Sequence, residues 1–241
     1  MLSKSKINLI QSLRLKKFRK ENGLFVIEGE KPVQEIYHSN YKIRELFFVQ
    51  KPSWLLNEKF DTTGISEAEL KKISSLSTPN NVLALVEIPE LKLAASIYST
   101  ELVLALEDIR DPGNLGTIIR TADWFGIKTI FCSKESVDCF NQKVVQSTMG
   151  SITRVNVHYV DLATEIRQFE NSYITVLDGQ NVKEVEKSTS GIIIFGNESN
   201  GVSKGLVELS KTKLTINKVG GAESLNVATA AAIFMYEFSG K

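Results

Sequence analysis

The sequence predicts an α/β protein whose C-terminal part is a doubly wound, mostly parallel sheet. Three observations predict this fold class. Apolar runs alternate with helical stretches, several of the runs lack polar alternation, and joints rich in glycine, asparagine or serine follow three of them. Strands that are apolar on both faces are typical of parallel sheets covered by helices. With 241 residues, 42% hydrophobic and 24% charged, the chain can form one large or two small domains with a real core.

The N-terminal third predicts a small α/β domain. Its apolar runs predict three strands, which are 24–28, 44–50 and 81–88. A helical stretch follows the first strand at 31–37. Ser66 and Glu69 have the spacing of a capping box, which predicts a helix start at Ser66. A proline ends the third strand, so we expect a domain over 1–90 and a linker over 91–100.

The first 20 residues carry seven basic side chains and no acidic one. Such a cluster is an electrostatic footprint for a polyanion, and nucleic acid is the polyanion we expect. A solvated helix face is the alternative. Apolar residues at rough helical spacing would let this helix pack while its basic face stays in water; they are Ile7, Ile10, Leu13 and Leu15. The side chains predicted to bind RNA are Arg14, Lys16, Lys17, Arg19 and Lys20.

The second part, 101–241, opens with an apolar strand at 102–106. Pro112 follows at a helix start, where its fixed φ and missing N–H cost little. The helix after it carries an apolar stripe of Leu115, Ile118, Ile119 and Ala122. Further strands are predicted at 129–131, 173–177, 192–195 and 214–216. The last helix is alanine-rich, and Ser224 is the predicted N-cap.

Several function classes lack their sequence signatures. No apolar run reaches membrane-spanning length and no secretory signal is recognisable, so we expect no membrane partner. Cys132 and Cys139 fit neither a disulfide scaffold nor a metal motif, which predicts no metal site and a reducing cytoplasm. His38 and His158 are isolated. The glycine fingerprint of dinucleotide-binding enzymes, the phosphate-binding loop and the nucleophile elbow are all missing.

Three polar segments each join an apolar run to a helix start. They are 111–122 (Asp-Pro-Gly-Asn-Leu-Gly-Thr-Ile-Ile-Arg-Thr-Ala), 195–201 (Phe-Gly-Asn-Glu-Ser-Asn-Gly) and 223–228 (Glu-Ser-Leu-Asn-Val-Ala). Joints of this kind present backbone N–H groups and small polar side chains, which suit a polar ligand. Together the segments predict one composite site.

The three segments resemble, in order and in spacing, the signature motifs of the SpoU (TrmH-type) RNA ribose 2′-O-methyltransferases of the SPOUT class. The resemblance covers about residues 100–238, and the N-terminal part resembles the ribosomal-protein-like substrate-binding domain attached to many of these enzymes. It implies S-adenosylmethionine as methyl donor, a deep trefoil knot and a homodimer formed through the C-terminal domain. The chain reads Ile216-Asn217-Lys218 where the family commonly has Ile-Pro-Met, which predicts a less rigid cofactor loop.

The resemblance also implies roles for single residues. Arg120 would act at the 2′-hydroxyl, by stabilising the alkoxide or by holding a phosphate, because a guanidinium pKa above about 12 disfavours proton abstraction. Asn114 would orient Arg120 or the ribose, or else cap the helix. Glu198 would pair with a cation or fix a loop, or else cap the next helix. Ser224 and Asn226 would serve the catalytic geometry. The implied cofactor-binding residues are Gly196, Asn197, Gly201, Ile216, Leu225 and Asn226.

The predicted function is therefore S-adenosylmethionine-dependent methylation of a ribose 2′-hydroxyl in RNA. Ribosomal RNA is preferred because of the attached N-terminal domain and its basic start. Three alternatives stay open: a tRNA ribose 2′-O-methyltransferase, a catalytically inactive RNA-binding protein of the same fold, and a small-molecule enzyme of doubly wound type. The second would fail to bind S-adenosylmethionine, and the third would show no salt-dependent RNA affinity.

Overall fold

The computed structural model of this chain describes residues 1–56 and 59–239. Its contacts divide the chain into two compact units. One is Met1–Glu90 with Asp138–Thr153, and the other is Leu91–Val137 with Arg154–Lys241. Within the described residues, no helix has both the length and the apolar character needed to cross a membrane.

The helices and strands alternate along both units. The strands are β1 (Leu24–Glu28), β2 (Ile43–Phe48), β3 (Asp61–Gly64), β4 (Val82–Glu87), β5 (Leu102–Leu106), β6 (Thr129–Cys132), β7 (Asn156–Tyr159), β8 (Ser172–Asn181), β9 (Gly191–Phe195) and β10 (Thr212–Thr215). The α-helices are α1 (Lys4–Ser12), α2 (Lys16–Asn22), α3 (Glu30–Tyr37), α4 (Glu67–Ile73), α5 (Ile97–Thr100), α6 (Pro112–Trp124), α7 (Gln142–Thr148), α8 (Leu162–Ile166), α9 (Lys204–Leu209) and α10 (Val227–Ser239). Short 3₁₀ turns lie at Ser151–Thr153 and Val182–Glu184.

The first unit is built on a four-stranded mixed sheet in the order β1-β4-β2-β3. Strand β4 pairs antiparallel with β1 and β2, and β2 pairs parallel with β3. The predicted capping box is confirmed at the start of α4, where the Ser66 side chain accepts the Glu69 N–H and the Glu69 carboxylate accepts the Ser66 N–H. That carboxylate also accepts the Leu2 N–H, and these hydrogen bonds to the charged form lower the Glu69 pKa to about 2.

The sequence predicted one helix in the basic N-terminal segment, but the structure has two. The chain turns between α1 and α2, and the turn changes which apolar residues face the core. Ile10 and Leu13 are fully buried, whereas Leu15 is 60% exposed. The helical stripe predicted to continue through Leu15 was therefore wrong at that residue.

Residues 138–153 belong to the first unit although they follow β6 of the second. Helix α7 packs on β1, and the Phe140 ring lies 4.8 Å from the Phe25 ring. The buried Arg19 guanidinium donates to the Asp138 carboxylate at 2.9 Å and to the Leu13 carbonyl at 2.8 Å. The sequence predicted no such association, because the signal for it is a set of contacts between distant residues.

Substituting Asp138 with alanine is expected to lower the free energy of unfolding by about 3–5 kcal/mol, because it leaves the Arg19 charge buried and unpaired. The side chains of this pair are only 2% and 14% exposed. Chemical denaturation would measure the loss. Asp123→Ala is a matched control, since it breaks the more exposed Arg154–Asp123 pair and should cost less than about 1 kcal/mol. Equal losses in the two variants would contradict the expectation.

The second unit is a six-stranded parallel sheet in the order β10-β8-β9-β5-β6-β7. This confirms the predicted α/β class with a parallel C-terminal sheet. The strand predicted at 102–106 is confirmed, and the others lie within a few residues of their predicted limits. One of them, β8, is ten residues long and extends beyond the predicted 173–177. Strand β3 was not predicted, because its four residues carry no apolar run.

Helices α6 and α10 pack against each other beside this sheet. The apolar stripe predicted on α6 is fully buried along its length. The predicted N-cap of the last helix is wrong. The Asn226 side chain accepts the N–H groups of Ala228 and Thr229 at 2.9 and 3.3 Å, and so caps α10 two residues after Ser224. Asn and Ser are comparable N-caps, so residue preference alone did not separate them.

His158 lies on β7, is nearly buried, and faces the Phe131 ring at 6.1 Å. Burial lowers its pKa below the ordinary 6.5, and the Glu165 charge opposes this only in part. The unfolded chain therefore binds a proton that the folded chain resists. We expect the free energy of unfolding to fall as the pH drops below about 6.5, and His158→Gln to remove that fall. His38→Gln, at an exposed histidine, is the control variant. If His158→Gln kept the pH profile of the wild type, the fall in stability would not be due to His158.

Candidate active site

The three polar segments lie at the carboxyl ends of parallel strands. The first follows β5, the second follows β9 and the third follows β10. Strands β5 and β9 are neighbours, and the chain leaves β5 toward β6 and β7 but later fills the other side of the sheet with β8, β9 and β10. Ligands of open α/β sheets bind at such a reversal of strand order, outside the carboxyl ends.

Asn114 joins all three segments through side-chain hydrogen bonds. Its Nδ2 donates to Glu198 Oε1 at 2.8 Å, and its Oδ1 accepts Asn226 Nδ2 at 3.0 Å. A carboxylate only accepts, so Asn114 must turn its amide N–H₂ toward Glu198 and its oxygen toward Asn226. The Asn226 oxygen caps α10, which leaves its own N–H₂ for Asn114. The hydrogen bonds of this network therefore all run in one direction, with Asn226 donating to Asn114 and Asn114 donating to Glu198.

The sequence predicted that Asn114 precedes the helix, but this is wrong. It lies in the first turn of α6, and Asp111 is the cap, because the Asp111 side chain accepts the Asn114 N–H at 2.8 Å. The capping alternative for Asn114 is therefore excluded, and its side chain is available for the contacts described above. Glu198 likewise has a side-chain partner in the site, while α9 begins at Lys204 with Ser203 as its N-cap.

The loop after β9 is closed tightly on itself. Asn197 and Gly201 exchange two backbone hydrogen bonds, of 3.0 and 2.9 Å. A Cβ on Gly196 would lie 2.2 Å from the backbone carbon of Gly201, so only glycine fits there. The Asn197 Nδ2 donates to the backbone oxygen of Asp108 at 2.9 Å, which ties this loop to the end of β5.

Arg120 is exposed on α6 and is not part of the hydrogen-bonded network of Glu198, Asn114 and Asn226. Across residues 1–56 and 59–239, its guanidinium has no hydrogen bond or ion pair. Arg110, four residues after β5, differs from it, because the Arg110 guanidinium donates to Asp108 at 2.8 Å, which raises the Arg110 pKa. Arg120 is thus a cation whose donors are not used by the fold.

The first four residues of the third segment, 223–226, and the loop before them are open to solvent. Every residue from 217 to 226 is exposed, Ser224 and Leu225 included, and Ile216 is half-buried. The structure therefore brings Asn114, Glu198 and Asn226 into one chain, but it does not join Ser224 or Arg120 to that chain. Gly196, Asn197 and Gly201 form the adjoining loop.

The basic N-terminal residues split into two groups. Arg14, Lys16, Lys17 and Lys20 are exposed, as an RNA-binding surface requires. Arg19 is 2% exposed and is committed to Asp138, so its predicted role in binding RNA is wrong. Sequence position alone could not separate Arg19 from its neighbours, since the partner lies 119 residues away.

Three acidic residues at the site were missed. Asp111 caps α6, Asp108 accepts from Asn197, and the Glu107 carboxylate accepts the Ser203 N–H at 2.7 Å. Asp108 holds a φ of +53, a left-handed backbone that few non-glycine residues adopt. The signal available was the pair Glu107-Asp108 directly after an apolar strand. The described residues contain no group of three or more His, Cys, Asp or Glu side chains that could hold a metal ion.

Residues 101–236, more than half of the chain, match the SpoU rRNA methylase family. The chain belongs to the SpoU rRNA methylase family. Residues 4–84 match the MRM3-like substrate-binding domain, so both parts of the predicted resemblance are confirmed. The SpoU match includes all three segments that meet at Asn114.

Three relatives illustrate the similarity of this SpoU family member to known proteins. The 23S rRNA (guanosine(2553)-2′-O)-methyltransferase RlmP of Bacillus subtilis (strain 168) is 33% identical, covering 95% of this chain and 94% of its own. The structure of an AdoMet-bound rRNA methyltransferase from Sinorhizobium meliloti is 29% identical with a TM-score of 0.88, covering 99% of this chain and 96% of its own. A structure concerned with methylation of C/U34 on tRNA is 21% identical with a TM-score of 0.53, covering 58% of this chain and 94% of its own.

Proposed function

We propose that this protein transfers the methyl group of S-adenosylmethionine to a ribose 2′-hydroxyl of ribosomal RNA. The observation that carries the proposal is the hydrogen-bonded network Glu198–Asn114–Asn226, which unites the three SpoU segments. The first of these segments also carries Arg120, whose guanidinium has no partner among residues 1–56 and 59–239. The family, the full-length similarity to RlmP and the AdoMet-bound relative support the reaction and the donor.

The residues present fit S-adenosylmethionine. Gly196 allows the loop after β9 to close on the backbone of Gly201 and Val202, which holds the loop in one conformation for a ligand. The exposed loop 217–226 offers backbone N–H groups, and Leu225 offers an apolar surface that is 48% exposed. S-adenosylmethionine supplies an electrophilic methyl group and departs as a neutral thioether, so the protein needs no general acid.

The protein's own task is to position the 2′-oxygen and to stabilise the charge that develops on it. The bond between the 2′-oxygen and the methyl carbon forms as the sulfur–carbon bond breaks, and the hydroxyl proton passes to a phosphate oxygen or to water. Arg120 supplies the cation for the developing alkoxide. Asn114, held between Glu198 and Asn226, fixes the start of α6 and thereby the direction from which Arg120 projects. Ser224, exposed beside Leu225, is assigned to the same substrate surface.

Ribosomal RNA is the proposed substrate because the supporting likeness extends over both units. RlmP aligns with 95% of this chain, and the substrate-binding domain covers residues 4–84. The tRNA-related structure aligns with 58% of it. The exposed basic side chains at the N-terminus add a surface for phosphates; they are Arg14, Lys16, Lys17 and Lys20. We propose a cytoplasmic location for the protein on the same grounds.

Transfer of labelled methyl groups to unmodified rRNA and to unmodified tRNA, followed by nucleoside analysis, tests the proposal. A 2′-O-methylated nucleoside from rRNA alone is the expected result. Methylation of tRNA alone would select the tRNA enzyme instead. Absence of transfer to naked rRNA and to assembled ribosomal particles, together with no binding of S-adenosylmethionine, would select the inactive RNA-binding protein. RNA affinity that does not change with salt would point to the small-molecule enzyme.

We also propose the knot and the homodimer that the SpoU resemblance implies. A Cβ on Gly179 would lie 2.6 Å from the backbone of Leu214, so β8 and β10 approach closely, and α10 packs on the 3₁₀ turn Val182–Glu184. Both features are compatible with a knotted C-terminal region. For the dimer, Trp124 on α6 is 84% exposed and Tyr236 on α10 is 66% exposed. Large apolar side chains exposed on two packed helices are typical of an interface.

Trp124→Glu is expected to convert the dimer into a monomer, because it would bury a charge in the interface. Light scattering coupled to size exclusion would measure the mass. Leu56→Glu, at a similarly exposed apolar residue of the first unit, is the control and should leave the mass unchanged. A wild-type protein that is monomeric at micromolar concentration would refute the dimer.

A further inference from the structure

A cleft of about 710 Å³ opens at one end of the sheet of the first unit. It is formed where α3 ends, where β2 and β3 begin and where β4 ends. Its volume lies in the range of small-molecule sites. None of the SpoU segments contributes to it, and neither does the basic stretch Arg14–Lys20, so nothing in the proposed reaction accounts for it. The residues used below are Tyr37, Lys42, Arg44, Lys59, Phe60 and Asp61.

Aromatic rings line one part of the cleft. Tyr37 and Phe60 both line it and meet edge to face, with ring centroids 6.2 Å apart. The Trp54 ring packs against Tyr37 at 5.4 Å, behind the lining. This packing restrains Tyr37 and makes the aromatic part of the wall a prearranged surface. Flat aromatic surfaces of this kind stack on nucleobases.

Cations line the remainder of the cleft. Lys42, Arg44 and Lys59 are all exposed, and they outnumber the two carboxylates, Asp61 and Glu87. Glu87 lies 3.5 Å from Arg44, in an exposed pair that a phosphate can displace at little cost. The balance of charge therefore favours an anion beside the aromatic wall.

We propose that this cleft binds an unpaired nucleotide of the RNA substrate, with its base against the aromatic wall and its phosphates on Lys42, Arg44 and Lys59. The inference rests on the proposed function, since it assumes an RNA substrate. Unpaired nucleotides are the parts of RNA whose bases proteins stack on and whose edges they read. Asp61, an exposed carboxylate at the start of β3, provides an acceptor for N–H groups on a base edge. A fully paired helix presents no free base to such a wall.

Binding of a labelled single-stranded oligoribonucleotide to the full-length protein, measured over a range of salt concentrations, tests the inference. For Lys42→Ala/Arg44→Ala we expect the plot of log affinity against log salt to become shallower by about 1.4, because each phosphate contact to a single strand contributes about 0.7. The control is Lys92→Ala/Lys143→Ala, which removes the same charge at two exposed lysines outside the cleft and should keep the wild-type slope.

Phe60→Ala tests the aromatic wall, and we expect it to weaken binding about tenfold at constant salt, within the range measured for loss of one base–aromatic stack. A thermal melt checks folding. If Phe60→Ala is unfolded, the lysine–arginine double variant decides alone, because its side chains are exposed. In methyl transfer, both cleft variants should raise KM for RNA and leave kcat unchanged, since the cleft holds none of the reacting atoms.

Four results would overturn the inference. These are an unchanged salt slope in the double variant, equal affinity for a fully paired duplex, a mononucleotide that binds as tightly as the oligonucleotide, and normal binding to naked RNA with loss of binding only to protein-containing ribosomal particles. If the wild type methylates rRNA while the cleft variants behave like it, the cleft inference fails and the reaction stands. If the cleft variants lose RNA binding as expected but the wild type transfers no methyl group to any RNA, the reaction fails and the cleft stands.

Discussion

Arg120→Ala is expected to slow methyl transfer by about 10²–10³-fold while leaving the fold and the affinity for S-adenosylmethionine unchanged. Losing one preorganised donor to a developing oxyanion costs a rate factor of that size. The Arg120 side chain is exposed on α6 and unpaired across the described residues, so its removal breaks no contact of the fold. Single-turnover transfer of labelled methyl to rRNA would measure the rate, and calorimetric titration would measure donor affinity.

Arg167→Ala is a suitable control for Arg120→Ala. Arg167 is an exposed arginine directly after α8, in the same unit but outside all three SpoU segments. Its removal should leave the rate at the wild-type value. Wild-type turnover in Arg120→Ala would show that another group stabilises the 2′-oxygen. A parallel loss of donor affinity would show that Arg120 acts on binding and not on the chemical step.

Gly196→Ala is expected to abolish binding of S-adenosylmethionine and to lower the free energy of unfolding by about 1–3 kcal/mol. The added Cβ would lie 2.2–2.3 Å from the backbone atoms of Gly201 and Val202, so the loop after β9 would have to open. Overpacking of this kind costs that much free energy. The displaced loop would also lose the two hydrogen bonds between Asn197 and Gly201. Calorimetric titration and chemical denaturation would measure the two effects.

Gly205→Ala provides the matched control for Gly196→Ala. Gly205 lies in α9, nine residues further along the chain, and a Cβ there would meet nothing within 4 Å. Alanine in a helix is about 0.5–1 kcal/mol more favourable than glycine, so this variant should be slightly more stable and should bind the donor normally. If both variants bound S-adenosylmethionine like the wild type, the closed loop at Gly196 would have no part in the donor site.

The strands and helices that carry a local signal were predictable. Strand β5 has an uninterrupted apolar run, and the Ser66–Glu69 spacing identified the start of α4. Strand β3 was missed because residues 61–64 are polar or small and owe their place to pairing with β2. The association of residues 138–153 with the first unit was missed for a similar reason. It depends on Arg19 and Phe25 finding partners more than a hundred residues away, which no local pattern encodes.

The site was predictable as a set of segments but not as a network. Motif resemblance named Asn114, Glu198 and Asn226, yet nothing in the sequence says that their side chains form one directed chain. Asp108 and Glu107 were overlooked because Asp and Glu side chains are mostly exposed to solvent, and no motif marked these two. Arg19 was assigned to RNA because its neighbours are basic, whereas burial decided its role. These distinctions depend on tertiary contacts, which composition and spacing do not reveal.

The contribution of residues 138–153 to the first unit has a consequence for how the protein is made. Sixty-three residues separate Glu90 from Thr153. At a synthesis rate of about 5–20 residues per second, about 3–13 s pass between the addition of residue 90 and that of residue 153, the last residue of the first unit. For most of that interval, until Asp138 and Phe140 have been added, the Arg19 charge and the Phe25 ring lack these partners. The N-terminal unit therefore completes its fold only when more than half of the polypeptide has been translated.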